Sequence, residues 1–146
     1  MENTAGVPYS VGMDLVDIGR MERSFERFGP RFRDRIYTEE EIAYCEGYAD
    51  SIRGYAARFS AKEAVMKVLG TGFGNGVRWK DISVSNGPSG RPSVTLTGRA
   101  GEVAREKGIK EILISLTHTD TTAGAVAVGV GGKGGEAVRR AAEAAS

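Results

Sequence analysis

Two acidic residues of this chain occupy positions where a folded protein normally places apolar side chains. Asp14 lies inside the apolar run Val11–Ile18, and Glu63 falls on the apolar stripe of a predicted helix. An isolated buried carboxylate is costly unless a positive charge or hydrogen bonds compensate it. A fold that buries both must therefore supply a cation or a shared proton, and we expect the two acids to converge on one site.

The composition is that of a single soluble globular domain. The 146 residues suffice for one core, and 40% hydrophobic with 27% charged residues is an ordinary globular balance. A formal net charge of +1 argues against a protein that coats nucleic acid through bulk charge. Cys45 is the one cysteine, which excludes an intrachain disulfide and favours a reducing compartment. With neither an apolar leader nor a membrane-length apolar run, we expect a cytoplasmic protein without a membrane span.

Hydrophobic periodicity predicts an α+β domain. A strand at Val11–Ile18, covered on both faces, precedes a helix that Gly29-Pro30 ends. Caps, turns and periodicity then predict a short helix from the capping box Thr38/Glu41, a helix at 52–69 with Ser51 as its N-cap, strands at 81–85 and 93–97, a helix at 97–107, and strands at 111–117 and 122–130. This order indicates a mostly antiparallel sheet with helices packed on it.

Only the middle of the chain reads as that domain. Residues 1–10 read as a lead-in, 11–130 as the domain and 131–146 as a flexible glycine-rich tail. Cys45 reads as a small core residue rather than a nucleophile.

The densest group of charged side chains lies on the long helix. Arg58 and Lys62 are four residues apart, as are Glu63 and Lys67, so each pair shares a helix face. One interpretation is two solvent-exposed pairs with little effect on stability. The inward position of Glu63 favours another, in which Asp14 and Glu63 bind Mg²⁺ through hard oxygen ligands. Lysines beside them would neutralise phosphate charge.

Asp14 alone also admits a conventional explanation, because an acid at a strand end often accepts hydrogen bonds from backbone amides. Asp17, three residues further on, lies on the opposite face of the strand and reads either as a residue that supports the site without binding the ligand or as a structural residue. The glycine loop Gly70–Gly76 follows a helix rather than preceding one, so it is either a C-cap with a turn or backbone that approaches a ligand closely. His118 ends a strand, where a hydrogen-bonded structural role is more common than catalysis.

Arginines are concentrated in one early segment, which suggests a docking surface. It carries Arg20, Arg23, Arg27, Arg31, Arg33 and Arg35. Such a patch suits an acidic partner, although a solvated helix face gives the same pattern.

The ordered set of motifs resembles the holo-acyl-carrier-protein synthases, the small bacterial-type 4′-phosphopantetheinyl transferases. The resemblance covers about residues 11–128 and rests on Gly12–Ile18, Arg58–Ala64, Leu69–Gly72, Asp81–Val84, Gly90–Pro92 and Ser115–His118. It implies transfer of 4′-phosphopantetheine from coenzyme A to a serine of an apo-acyl carrier protein, with release of adenosine 3′,5′-bisphosphate.

The resemblance also implies residue roles. Asp14 and Glu63 match the magnesium ligands, and Lys67 matches the lysine near the diphosphate. Expected contacts to coenzyme A are Arg58, Lys62, Lys67, Gly70, Gly72, Arg91, Pro92 and His118. Arg20 and Arg27 match the basic first helix that docks the carrier protein. The residues themselves lead to one further expectation, that Glu63 accepts the serine proton directly or through a metal-bound water.

The family is typically a homotrimer with active sites between subunits, so His118 and Arg91 are expected to serve a neighbouring site. Two other functions use the same residues. A magnesium-dependent hydrolase of nucleotide diphosphates would need the two acids but no protein partner. A non-catalytic adaptor would use the arginine patch alone and would leave the acids unexplained.

Overall fold

The computed structural model describes residues 7–72 and 75–131. This part of the chain contains five strands: β1 (Val7–Asp17), β2 (Ile82–Asn86), β3 (Pro92–Leu96), β4 (Glu111–His118) and β5 (Thr122–Gly131). Five α-helices accompany them: α1 (Ile18–Phe28), α2 (Pro30–Ile36), α3 (Glu39–Glu46), α4 (Ser51–Leu69) and α5 (Gly98–Glu106), with a single 3₁₀ turn at Trp79–Asp81. The predicted tail from residue 132 onward lies outside the described residues.

The strands form two antiparallel sheets, which confirms the predicted fold class. The larger sheet has the order β1–β5–β4, and β2 pairs with β3 in a separate hairpin. Helix α4 packs across β1 and β5 on one face of the larger sheet. Gly12 permits this close packing, since a Cβ there would lie 2.1 Å from the carbonyl oxygen of Ala64. The contact fixes β1, which carries Asp14, against α4, which carries Glu63.

Local sequence signals explain where most helices begin and end. Thr38 and Glu41 form the predicted capping box at the start of α3, with both reciprocal hydrogen bonds present. Gly70 ends α4 in the left-handed conformation, φ 73°, as predicted for a C-cap glycine. The N-cap of α4 is Asp50 rather than the predicted Ser51, because the Asp50 carboxylate accepts from the Arg53 amide.

Helix α2 was not predicted. Gly29-Pro30 ends α1 as expected, but Pro30 is also the first residue of α2, where a missing amide proton costs nothing. The same dipeptide therefore separates two helices. Strand β1 begins at Val7, within the predicted lead-in.

One face of the larger sheet is exposed, so the prediction that the first strand is covered on both faces is wrong for the isolated chain. We call it the outer sheet face, and its exposed apolar side chains are Val11, Met13, Leu15, Leu113 and Val126, between 36% and 65% accessible. The opposite face of β1 packs on α4 and carries Asp14. Within residues 7–72 and 75–131, no helix is both long and apolar enough to cross a membrane.

Candidate active site

The structure brings the two predicted acids to one cleft. Asp14 and Glu63 both line a depression of about 310 Å³ between β1, α1 and α4, which we call the acidic cleft. Asp14 reaches it from the α4-facing side of β1, and Glu63 from the helix above. The Asp14 side chain is 20% exposed, so its carboxylate is largely shielded but open to a ligand.

The two carboxylates influence each other. The pKa of Glu63 is raised, first by burial and then by the negative charge of Asp14, while Lys67 opposes the shift. Mutual repulsion of this kind is relieved by a proton or by a cation between the groups.

Lys67 is the basic residue of this cluster. Its Nζ donates to the carbonyl oxygen of Met13 at 2.7 Å and lies 3.5 Å from Asp14 Oδ1. The side chain is still 54% exposed, so the ammonium group has free donors for a ligand. Asp14 therefore faces a charged side chain rather than only the backbone amides of the conventional explanation.

The donor set of the acidic cleft fits Mg²⁺. Two hard carboxylates on rigid elements are a usual protein contribution for this ion, which completes its shell with waters and substrate phosphates. Among the described residues there is no cluster of three or more His, Cys, Asp or Glu side chains arranged for a metal. A Mg²⁺ site here would consist of Asp14 and Glu63 plus non-protein oxygens.

Asp17 has a local structural role. Its carboxylate accepts from the Arg20 amide at 2.9 Å and so caps α1. The capping bond is a structural role, one of the two predicted for Asp17, and Asp17 also lines the acidic cleft.

Lys62 is a correction to the predicted contacts with coenzyme A. Its side chain is fully buried and forms an ion pair with the equally buried Glu41 at 2.7 Å. Lys62 Nζ also donates to the carbonyl oxygens of Trp79 and Ile82. With these acceptors engaged and no exposed surface, Lys62 cannot reach a ligand.

The Lys62–Glu41 pair instead joins several elements. Glu41 accepts from the amides of Thr38 and Val84, which lie in front of α3 and in β2. The pKa of Lys62 is lowered by burial, and Glu41 counteracts this shift. From sequence alone Lys62 and Lys67 looked alike, because helix periodicity did not indicate which of them faces the β2–β3 hairpin.

A second cavity lies beside Arg58. We call it the aromatic pocket; it measures about 500 Å³, and its walls include Tyr44, Tyr48, Arg58, Asn86, Leu116 and His118. Two predicted contacts to coenzyme A, Arg58 and His118, thus meet in one cavity of a single chain. Arg58 is 3% exposed, and its Nε has no hydrogen-bond partner among the described residues.

Asn86 connects this pocket to the predicted glycine turn. It accepts from Arg58 Nη2 at 2.5 Å and donates to the Gly90 carbonyl at 2.9 Å. Gly90 leads into Arg91 and Pro92, which therefore lie next to the residue that holds Arg58. Sequence reasoning treated Asn86 only as a turn residue and missed this bridge.

The remaining predicted residues are placed on loops and on α1. Gly70 and Gly72 both have positive φ, and Gly72 has open space around its α-carbon. Arg20 and Arg27 are exposed on α1 and border a further cleft of about 610 Å³. Arg20 and Ser24 line both this cleft and the acidic cleft, so the two surfaces are continuous.

The acidic cleft and the aromatic pocket lie on opposite flanks of α4. The first is bordered by β1, and the second by the end of β4, which is the opposite edge of the β1–β5–β4 sheet. A ligand in one is thereby separated from the other cavity of the same chain by the helix.

Comparisons with known proteins identify the family of this chain. The profile of the 4′-phosphopantetheinyl transferase superfamily matches residues 10–125. A holo-[acyl-carrier-protein] synthase of Solibacter usitatus is 50% identical over 108 residues, which cover 74% of this chain and 86% of the relative.

Solved structures show the same fold. The holo-[acyl-carrier-protein] synthase of Neisseria meningitidis superimposes with a TM-score of 0.78 at 29% identity, covering 84% of this chain and 98% of the other. The Helicobacter pylori enzyme in complex with coenzyme A gives a TM-score of 0.71 at 33% identity, covering 82% and 98%. The chain belongs to the 4′-phosphopantetheinyl transferase superfamily.

Proposed function

We propose that this protein transfers the 4′-phosphopantetheine group of coenzyme A to a serine hydroxyl of an apo-acyl carrier protein. The observation that carries the proposal is the convergence of Asp14 and Glu63 on one cleft, in a chain that belongs to this transferase superfamily. The resemblance to synthases, among them one in complex with coenzyme A, supports the choice of donor and acceptor.

The chemistry needs positioning and charge neutralisation rather than a nucleophile from this chain. The carrier serine oxygen forms a bond to the phosphorus that bears pantetheine. The bond from that phosphorus to the bridging diphosphate oxygen breaks, and adenosine 3′,5′-bisphosphate leaves with the electron pair.

Asp14 and Glu63 would hold Mg²⁺ in the acidic cleft. When bound there, Mg²⁺ supplies charge neutralisation for the diphosphate and for the leaving bisphosphate. Lys67 would contribute to the same task, since its half-exposed ammonium lies beside Asp14.

Glu63 would accept the serine proton. Its carboxylate lines the acidic cleft, where a serine of the docked carrier would reach it directly or through a metal-bound water. Asp14 would act mainly by binding the cation, and Lys67 mainly by neutralising phosphate charge.

Coenzyme A would bind with its nucleotide in the aromatic pocket. The largely buried guanidinium of Arg58 lines this pocket and its charge favours an anion there, and His118 adds a donor at the rim. Asn86 binds Arg58 at this cavity and also the carbonyl of Gly90, in the turn that continues into Arg91 and Pro92. Gly70 and Gly72 would allow close approach of the ligand on the α4 C-terminal side.

The carrier protein would dock on α1. Arg20 and Arg27 present positive charge to an acidic partner helix, and Arg20 also borders the acidic cleft. A carrier bound there would bring its serine to the carboxylates.

The protein would act as a homotrimer with each active site shared by two subunits. The outer sheet face exposes several apolar side chains next to one another, as surfaces between subunits do. Because α4 separates the two cavities of one chain, a donor that uses both would take the acidic cleft from one subunit and the aromatic pocket, with His118 and Arg91, from its neighbour.

Intact-mass analysis tests the transfer. The protein, coenzyme A, Mg²⁺ and an apo-acyl carrier protein should yield a carrier heavier by one phosphopantetheine group. Asp14→Ala and Glu63→Ala should remain folded and lose this product. Release of bisphosphate without a mass increase on the carrier would instead indicate the hydrolase.

A further inference from the structure

The strand and the helix that carry the two acids touch each other at a glycine. Gly12 precedes Asp14 by two residues in β1, so both positions face α4. A Cβ at Gly12 would collide with the carbonyl oxygen of Ala64, which follows Glu63 directly in α4. The backbone contact between β1 and α4 therefore lies two residues from one carboxylate and one residue from the other.

The sheet around this contact carries small side chains. Gly12 pairs with Ala127 of β5, and Asp14 pairs with Ala125. Both alanines are buried in the core that also contains Ala64. Glycine and alanine at these positions leave little volume between the strands and α4, so the helix can lie close to β1 and β5.

The same face of the sheet is bulkier on β4. Ile114 pairs with Ala127, and Leu116 pairs with Ala125, so side-chain volume increases from β1 across β5 to β4. Because a packed interior leaves few voids, a helix on this surface approaches the sheet most closely over the small residues. The close approach is thereby located beside Asp14 and not beside β4.

Lys67 occupies the rest of the gap. Its Cβ would lie 2.9 Å from a Cβ at Gly12, so the stem of the lysine passes directly over the glycine. From there its Nζ donates to the Met13 carbonyl oxygen at 2.7 Å and approaches Asp14. A side chain at position 12 would thus push β1 away from α4 at the residues that form the acidic cleft.

The width of the cleft decides which cation two carboxylates can share. Mg²⁺ binds oxygen at about 2.0–2.1 Å and demands near-ideal octahedral geometry, whereas Ca²⁺ accepts about 2.3–2.6 Å and a flexible shell. Two oxygens on one ion are separated by at most twice that length, roughly 4 Å for Mg²⁺ and roughly 5 Å for Ca²⁺. Moving β1 outward therefore disfavours Mg²⁺ more than Ca²⁺.

We propose that Gly12 is a positioning residue of the acidic cleft. By allowing β1 to touch α4, it sets the separation of the Asp14 and Glu63 carboxylates and so the preference of the site for a small divalent cation. The inference rests on the proposed function, which places Mg²⁺ between these two acids, and it deepens that function by naming what determines the width of the site.

The test compares Gly12→Ala with a matched glycine of the same interface. Gly129 faces α4 from β5, where a Cβ would lie 2.7 Å from Val68 Cγ1, and it does not line the acidic cleft. Displacement of bound Mn²⁺ by Mg²⁺ or by Ca²⁺, in the presence of coenzyme A, gives both affinities for each full-length protein, and urea unfolding gives its stability.

The two variants should differ in ion preference. We expect Gly12→Ala to weaken Mg²⁺ binding at least about tenfold and Ca²⁺ binding by no more than about threefold. Gly129→Ala should lose stability but keep the ratio of the two affinities within about twofold of wild type. A glycine needed only for folding would lower stability without changing this ratio.

A longer carboxylate should compensate for the wider cleft. Asp14→Glu adds one methylene, so in the wild-type background it should weaken Mg²⁺ binding. Combined with Gly12→Ala, the same substitution should strengthen Mg²⁺ binding relative to Gly12→Ala alone. This reversal of sign reports the distance between the acids and is independent of any loss of stability.

A second variant applies if Gly12→Ala does not fold. Ala127→Val adds two methyl groups beside Gly12 without meeting a backbone carbonyl at that glycine, and it should shift the affinity ratio towards Ca²⁺ in the same direction. An unchanged ratio in folded Gly12→Ala, or in Ala127→Val where Gly12→Ala does not fold, would overturn the role of Gly12. Asp14→Glu weakening Mg²⁺ binding equally in both backgrounds would also overturn it. A wild-type protein that binds no Mn²⁺ would contradict the proposed function itself.

Discussion

At the scale of single residues, burial separates side chains that look equivalent in the sequence. Lys62 and Lys67 flank Glu63 in one motif, and both were expected to contact coenzyme A. Lys62 is fully buried in an ion pair with Glu41, whereas Lys67 is 54% exposed and reaches Asp14. Of these two lysines, it is therefore Lys67 that can act on a ligand in the acidic cleft.

Replacing Lys67 should slow transfer. Lys67→Gln removes a charge from the acidic cleft, and the loss of one such group typically lowers kcat by about 10²–10³. The decrease in kcat is measured by steady-state kinetics of transfer to an apo carrier protein. Lys110→Gln, an exposed lysine outside the acidic cleft, is the matched control and should leave kcat unchanged. Equal rates for wild type and Lys67→Gln would contradict the assigned role.

Cys45 should make stability depend on alkaline pH. Burial raises the pKa of its thiol from 9.0 to about 11, so the native state keeps the thiol protonated while the unfolded chain ionises it above pH 9. The stabilisation is complete below pH 9 and is lost as the pH rises towards 11.

The comparison with Cys45→Ala isolates this thiol from the tyrosines, whose ionisation also matters at high pH. Between pH 8 and 10.5, urea unfolding should show a loss of free energy that is smaller in Cys45→Ala by roughly 2 kcal/mol. Parallel pH profiles for the two proteins would show that the thiol is not shielded.

At the scale of elements, the buried Lys62–Glu41 pair fixes α4 against α3 and β2. Lys62 donates to the Trp79 and Ile82 carbonyls, and Glu41 accepts from the Thr38 and Val84 amides. Because Glu63 follows Lys62 directly, this network also sets the rotation of α4 that turns Glu63 to Asp14.

Removing one partner of the Lys62–Glu41 pair should lower the free energy of unfolding more than removing the charges of both. Lys62→Met leaves the Glu41 charge buried without a partner and should destabilise the fold by about 3–5 kcal/mol. The double variant Lys62→Met/Glu41→Gln should recover part of this loss, since no buried charge remains. Urea unfolding of all four proteins of the cycle gives the coupling energy. Additive effects would mean that the two side chains do not interact.

The elements themselves followed closely from the sequence, because their signals are local. The capping box at Thr38 and the C-cap at Gly70 are recognisable from neighbouring residues, and both are present. Helix α2 was missed since Pro30 reads equally as the end of one helix and the start of another.

The site was only partly predictable, because it depends on which faces meet. The inward position of Glu63 indicated a partner, and Asp14 does face it across the acidic cleft. The burial of Lys62 and the Asn86 bridge arise from the β2–β3 hairpin packing on α4, and periodicity within one helix carries no information about that contact.

At the scale of the whole molecule, the proposed homotrimer would account for both the exposed outer sheet face and the two separated cavities. An apolar sheet face closes when copies of the chain pack together. The same assembly could bring the aromatic pocket of one subunit to the acidic cleft of the next.

Disrupting the outer sheet face should therefore change both mass and activity. Met13→Glu places a charge among exposed apolar side chains, and sedimentation should shift from about three times 15.5 kDa to the monomer, with loss of transfer. Thr95→Glu, an exposed strand position of the β2–β3 hairpin, is the control and should stay assembled and active. A fully active monomer would contradict a site shared between subunits.

Mixing two inactive variants tests whether the active site is shared between subunits, and it leaves the outer sheet face unchanged. Arg58→Ala and Glu63→Gln should each be inactive. In randomly mixed trimers, roughly a quarter of the sites would combine an intact acidic cleft with an intact aromatic pocket, so mixing should restore activity. Sites contained in one chain would stay inactive after mixing.

The central claim, that Asp14 and Glu63 hold one divalent cation between them, is tested most directly by metal binding. Titration of the full chain with Mn²⁺ as a paramagnetic substitute for Mg²⁺, in the presence of coenzyme A, should show one bound ion per chain for the wild type. Asp14→Asn and Glu63→Gln should each weaken this binding by at least about tenfold while the protein remains folded. Wild-type affinity for Mn²⁺ in both variants would contradict the account.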